Sequence, residues 1–483
     1  MPWKRRTEVT IGAKAPASVE CLERRMLLST TFYVSLKGND ANPGTDPAHA
    51  WRHIQQAFNS ATPGSTVEVL PGRYNEKLTL NVSGNATDGF ITFAAAGKVT
   101  ISGRGVAGSD IIFINNHNYV RIVGFNISDD LRVNNGAGIR LISADDHIEL
   151  RNNRIFNITG SRAMGIAAYG TDPSAGISNL VVDGNQIFHV QSAPSEALTL
   201  NGNVHDFSVT NNFVHDVNSI GIDFIGGEGM SPDSATDMAR NGQVSGNRVT
   251  HARPIRGADR DAAGIFLDGA RNVIVERNVC WANQVGIEIG AVHSSATAIS
   301  DSVRDNIIYA NTMAGISVGG SDQSQGRVVN CPITNNTFYR NDTTQSGGGE
   351  IRAQWGSQNL FENNLIAGGR NDVLINSEYG ASGNSSGYNL FFSTGGPLQA
   401  RFNWASQPVI GLLAWQADSG QDASSIFAAP LFNRHSGLLQ LDPRSPGINA
   451  GDPAFVPGSN ETDFIGRPRI LGGRVDVGAD EVI

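Results

Sequence analysis

Between about residue 100 and residue 395 the apolar positions fall in short runs, not in helical stripes. Each run is rich in β-branched and aliphatic side chains, alternates with a period of two, and is closed by Gly, Asn or Asp, which is the signature of short strands. The runs GIRLI at 138, GIAAY at 165, ALTLN at 197, GIDFI at 221, GIFLD at 264, GIEIG at 286, GISVG at 315 and EIRAQ at 350 share this pattern. Alternation puts Ile139, Ile166, Leu198, Ile222, Ile265, Ile287, Ile316 and Ile351 inside, and the residue after each of them outside.

A second phrase keeps pace with the first. The copies NNRI, GNQI, NNFV, GNRV, RNVC, DNII, NNTF and NNLI place asparagines at 153, 185, 212, 247, 278, 306, 336 and 364. The intervals of 32, 27, 35, 31, 28, 30 and 28 residues mark a solenoid. Helical repeats would need a 3.6-residue period, which is absent, so each interval reads as one coil of a parallel β-helix. Identical asparagines then lie above one another, where their amides can bond along the stack. Trp51 to Ala61 is the exception. Ile54, Ala57, Phe58 and Ala61 give it a helical face, as expected of a helix covering the open first coil. The chain divides into 1–30, a leading segment; 31–103, an N-terminal cap and first coils; 104–395, the repeats; and 396–483, an irregular C-terminal cap or anchor-associated region.

Length alone would suggest about three domains. A solenoid grows along one axis and needs no such division, and a monomer is expected. A net charge of −9 argues against general nucleic-acid binding, and no long apolar run predicts a membrane span. Lys4, Lys14, Lys37, Lys77 and Lys98 are the only lysines, so a lysine base is excluded from the later coils. Cys21, Cys280 and Cys331 lack metal-ligand spacing, and the last two read as buried thiols.

Coil length points to where chemistry sits. Gly221 to Gly264 is the longest interval, with insertions at 226–242 and 251–264 that would line a binding face. Arg253, Arg256 and Arg260 in the second insertion suit carboxylates or sulfates, unless they pair with Asp233, Asp237, Asp259 and Asp261. Outward columns bring Asp223, Asp268 and Glu288 together from three successive coils, with neighbours roughly 8 Å apart by strand spacing. These carboxylates can hold Ca²⁺, flank a glycosidic bond as acid and base, or form a solvated strip. Phe266 and Tyr169 are candidate sugar platforms, Gln354 a further substrate contact, and His293 or Arg352 a group that helps move a proton.

Three segments carry a family resemblance. VECLERRMLLST (19–30) resembles the LEPR-type N-terminal motif of planctomycete extracellular proteins, which implies export. YVSLKGNDANPGT (33–45), HIQQAFNSATPGSTVEVLPGRY (53–74) and SGNATDGFITF (83–93) resemble the opening of secreted right-handed β-helix proteins. SPGINAGDP (445–453) and DFIGRPRILGGRVDVGADEV (463–482) look like the terminal region of such proteins, including those named choice-of-anchor. The resemblance is to the class of polysaccharide lyases, pectin-type hydrolases and alginate epimerases. It implies an all-β, single-stranded right-handed parallel β-helix that is secreted or at the cell surface and acts on a polysaccharide. The leading expectation is cleavage of an acidic glycan, with β-elimination slightly favoured. The alternatives are an inverting glycoside hydrolase using the same carboxylates and a non-catalytic glycan-binding surface protein. Lyases of this class that use a lysine base find no counterpart here.

Overall fold

The structure is a computed structural model that describes residues 30–255, 262–320, 327–378, 383–433 and 438–482. The LEPR-like segment, Cys21, Arg256 and Arg260 lie outside the described residues. The chain winds as an all-β solenoid with three walls of parallel strands. One wall runs from Thr31–Val34 to Ser385–Gly387. The inward residues form a single column, Ile139, Ile166, Leu198, Ile222, Ile265, Ile287, Ile316 and Ile351, each paired in register with the next and each fully buried.

The repeated asparagine phrase has a local cause. The residue before each asparagine is left-handed, with φ of 54° at Asn152, 67° at Gly184, 54° at Asn211, 67° at Gly246, 54° at Arg277, 57° at Asp305, 56° at Asn335 and 56° at Asn363. Asn, Gly and Asp tolerate that region, and only Arg277 departs from the preference. At Gly184 the demand is also spatial, because a Cβ would lie 2.5 Å from Asn152 Oδ1. The turn aims each asparagine inward. The backbone N–H of Asn153 donates to Asn185 Oδ1, and the same step, at 2.9–3.0 Å, continues through Asn212, Asn247, Asn278, Asn306, Asn336 and Asn364 to Asn389.

A second stack was not anticipated. Asn283, Asn311 and Asn341 repeat the arrangement one corner further on, and the backbone N–H of Asn341 donates to Glu350 Oε1 at 3.0 Å. Glu350 therefore closes the stack with a carboxyl group that is fully buried. Burial pushes it up to about 8. The unfolded chain ionises first as pH rises, so the stability due to Glu350 is complete below its ordinary value of 4.5 and is lost towards pH 8. Glu350→Gln is expected to flatten the fall in denaturation midpoint between pH 5 and pH 8. Equal slopes for the two proteins would contradict the assignment.

The ends are closed differently. At the front, the predicted capping helix is α1 (Ile54–Ser60), with Ile54, Ala57 and Phe58 buried. The Glu76 carboxylate accepts from the first two N–H groups of α1. At the back, α2 (Leu412–Ser419) sets Trp415 against Phe402 with ring centroids 5.0 Å apart. The Trp415 indole N–H donates to Asp422, whose other oxygen accepts from the last stack residue, Asn389.

The expected cap over 396–483 thus divides in two. Residues 401–427 close the last coil, whereas 438–482 fold back along the flank of the solenoid as a strap. Arg304 pairs with Glu461 at 2.8 Å, Arg277 donates to Thr462, and Arg469 meets Asp305 at 3.3 Å with both side chains fully buried. These ion pairs lie on coils well before the end, which is why the segment lies along the wall and not across it. Among the described residues no helix is long and apolar enough to cross a membrane. Cys280 and Cys331 are free and buried.

Candidate active site

Four adjacent strands build the candidate site, β1 (Leu198–Gly202), β2 (Ile222–Ile225), β3 (Ala263–Asp268) and β4 (Val285–Gly290), and the last three carry Asp223, Asp268 and Glu288. Register places Thr199, Asp223, Phe266 and Glu288 in one outward column. Asn201, Ile225, Asp268 and Gly290 form the next. Asp223 and Asp268 are one coil and two residues apart, about 8 Å between Cα atoms by strand spacing.

The expectation that this trio stands on an open face needs correction. Asp223 is 1% exposed and Asp268 4%. Glu288 and His293 are half-buried. Loops rise around the outward columns and supply the burial. Asp237 accepts from Gly229 and Ser231 and so folds the loop after β2 on itself. Ser295 Oγ donates to the Gly227 carbonyl, which ties that loop to the one after β4. Asp233 and Asp237 thus serve their own loop, Asp233 by accepting from Ala235.

Burial and like charge divide the carboxyl groups into unequal roles. Burial raises Asp223 well above the ordinary carboxylate range, and the nearby Glu196 and Asp268 carboxylates raise it further. Its Oδ1 is buried without a hydrogen-bond partner among the described residues. Burial lifts Asp268 to about 6, a smaller shift because the Val292 N–H donates to it at 2.7 Å and His293 stands near. Burial and like charge therefore hold Asp223 towards its protonated form, while the Val292 N–H and His293 favour the ionised form of Asp268. Such a split is how two like groups take acid and base roles.

Glu196 and Glu228 complete the cluster and were not singled out from the sequence. Glu196 precedes β1, and Glu228 follows β2 and accepts from Asn201 Nδ2. Both lie just beyond the strand alternation that identified the others.

The remaining candidates fall elsewhere or change role. Phe266 is 5% exposed and packs with Ala263, Val285 and Ala314, so it is no open sugar platform. Its ring leans over Gly290, where a Cβ would meet it at 3.2 Å. Tyr169 lies three coils from Asp268 in the same column, with the Arg140 guanidinium 5.1 Å from its ring centre. Arg140 itself pairs with Asp110 at 2.8 Å. Arg352, two coils beyond Glu288, faces Glu378 at 3.4 Å, and Gln354 donates to the same carboxylate. Arg253 is exposed and bonds the Ala282 carbonyl.

The trio does not fit a calcium site. Among the described residues no three His, Cys, Asp or Glu side chains are grouped to hold a metal ion. Phe266 separates Asp223 from Glu288 in their column, and the Val292 N–H occupies Asp268 Oδ1.

Comparison with known proteins agrees with this architecture. Residues 226–339 match the family model for the right handed beta helix region. The uncharacterized protein YwoF of Bacillus subtilis (strain 168) is 32% identical over 434 residues, which cover 86% of this chain and 91% of YwoF. Among solved structures, a GH136 lacto-N-biosidase from Eubacterium ramulus aligns with a TM-score of 0.50 and 15% identity, covering 75% of this chain and 67% of that one. Pectate lyase Pel9A aligns with a TM-score of 0.48 and 16% identity, covering 94% and 96%. At such identity the lacto-N-biosidase speaks to the fold alone. Matched at that identity over most of both sequences, the chain belongs to the same family as YwoF.

Proposed function

We propose that this protein is an exported enzyme that hydrolyses a glycosidic bond, with Asp223 as general acid and Asp268 as general base. The observation that carries this reading is the buried carboxyl pair on adjacent coils, with burial and like charge pushing Asp223 well above the ordinary carboxylate range and Asp268 lifted to about 6. Asp223 gives its proton to the leaving glycosidic oxygen as the bond to the anomeric carbon breaks. Asp268 takes a proton from the water that attacks that carbon. Their Cα atoms stand about 8 Å apart by strand spacing, and inversion places the water between carboxyl groups that are about 6.5–9.5 Å apart. Glu196, Glu228 and Glu288 bracket the pair, and His293 borders Asp268.

Hydrolysis is favoured over elimination for a specific reason. Elimination needs a cation to neutralise a uronate carboxylate and a base for its α proton. Arg140 and Arg352, which lie in the outward column of Asp223 and Glu288, are engaged by Asp110 and Glu378. A glycan substrate accords with the lacto-N-biosidase that shares the fold, and export with the LEPR-like segment.

The test is incubation with neutral, uronate-rich and sulfated polysaccharides, with Ca²⁺ or with a chelator, following reducing ends and ultraviolet absorbance together. New reducing ends without absorbance are expected. Both signals together would replace hydrolysis by elimination, and silence across the panel would leave a glycan-binding surface protein.

A further inference from the structure

A groove of about 810 Å³ lies away from the carboxylate wall, between the adjoining wall and the C-terminal strap. Its floor includes Arg248, Trp281 and Tyr309, and Phe464 and Ile465 of the strap form the opposite side. The floor belongs to an outward aromatic file. Phe156 and Phe188 stack at 5.1 Å, Phe188 and His215 at 5.0 Å, and Trp281 and Tyr309 at 6.1 Å. Stacking of this kind stabilises a solenoid and by itself implies no ligand.

Arg248 is what the stack does not explain. It is exposed at the groove, with its guanidinium 4.9 Å from the Phe213 ring centre and 5.6 Å from that of Trp281. The two rings hold the group in place, yet among the described residues it has no carboxylate partner within ion-pair distance. Its neighbours differ. Arg277 and Arg304 are tied to Glu276 at 2.8 Å, and Arg304 also to Glu461. A guanidinium oriented by aromatic rings and lacking a counter-ion is arranged for a planar anion that accepts two parallel hydrogen bonds. Ser245 lines the same groove and brings a hydroxyl group to it, whereas the Thr210 hydroxyl donates to Asp183 at 2.7 Å. The exposed cation, the Ser245 hydroxyl and the aromatic rings together suit an acidic sugar better than an apolar ligand.

We infer that this groove binds a short acidic oligosaccharide, with Arg248 taking a uronate carboxylate or a sulfate. The inference rests on the reading that the protein acts on glycans, but not on the cleavage chemistry. The groove holds a part of the polymer that is not being cut, and the strap is needed as its second side. The cleavage site selects the bond, whereas the groove retains a chain that carries negative charge.

The experiment uses the full chain carrying Asp268→Asn, so that binding is read without turnover. Trigalacturonate, a chondroitin sulfate tetrasaccharide and neutral cellotriose are titrated by calorimetry at low and physiological salt. One acidic probe is expected to bind, cellotriose is not, and Arg248→Ala is expected to weaken the acidic probe at least tenfold. Arg248→Lys keeps the charge but loses the fork, and should recover only part of the affinity. Unchanged thermal unfolding of both variants separates lost binding from lost structure. Absence of binding by either acidic probe, or binding that Arg248→Ala leaves unchanged, overturns the inference. Failure of cleavage together with Arg248-dependent binding would sink only the hydrolase reading.

Discussion

Asp223→Asn is expected to lower cleavage of a responsive glycan by about 10²- to 10⁴-fold, the usual contribution of a general acid. The protein should keep its fold and become less sensitive to alkaline pH. Both effects come from one cause. Asp223 sits in a column where Thr199 and Phe266 are its in-register neighbours, and where burial, Glu196 and Asp268 all oppose ionisation. The folded protein holds the proton to higher pH than the unfolded chain, where it leaves near the ordinary value of 3.8. Stability from this group is therefore complete at low pH and is lost as pH rises towards the folded value. An amide imitates the protonated acid without a proton to give, so it removes catalysis and the pH penalty together.

The pH profile gives a second handle on the same pair. Asp268 must be ionised to act as base, so kcat/KM should fall as pH drops through about 6. The alkaline limb belongs to loss of the Asp223 proton. Asp268→Asn should remove turnover as deeply. Activity of Asp223→Asn within about threefold of the parent protein, well inside the range expected for a lost general acid, would remove Asp223 from the mechanism.

Much of this site was legible from strand alternation. That pattern alone put Asp223, Asp268 and Glu288 in two neighbouring outward columns, and the register agrees. It did not reveal burial. Whether an outward side chain is open depends on the loops that rise beside it, and loop paths carry no periodic signal. The same limit hid Glu196 and Glu228, which lie outside the strands. Arg352 and Gln354 were correctly placed on the wall, but their shared partner Glu378 falls after the next strand, where no pattern pointed to it. The asparagine phrase was the strongest signal because one short sequence satisfied two demands at once: a left-handed turn residue, then an inward amide. The second stack at Asn283, Asn311 and Asn341 uses no such fixed phrase, since its preceding residues are Ala282, Ala310 and Arg340. All three are nevertheless left-handed, at φ of 55°, 55° and 52°.

Asn278→Ala should be among the most destabilising single changes in the chain. Asn278 is fully buried near the middle of the first stack. Its Oδ1 accepts from the Asn247 backbone N–H at 2.9 Å and from the Asn247 amide at 3.0 Å, and its own amide donates to the Val244 carbonyl at 2.9 Å. Alanine leaves two donors and one acceptor unsatisfied where water does not reach. Each such group costs about 1–3 kcal/mol, so a loss of about 3–9 kcal/mol is expected. Position amplifies the damage, because a solenoid holds together through contacts between neighbouring coils and a central fault separates the two halves. Asn278→Asp should recover the acceptor but not the donor, and it places a carboxyl group in the core, so it should rescue partly at low pH only. Chemical denaturation of the two variants checks this. A loss under about 1 kcal/mol for the alanine variant would mean that the stack relaxes around a missing rung, and that burial of the aliphatic column alone holds the coils in register.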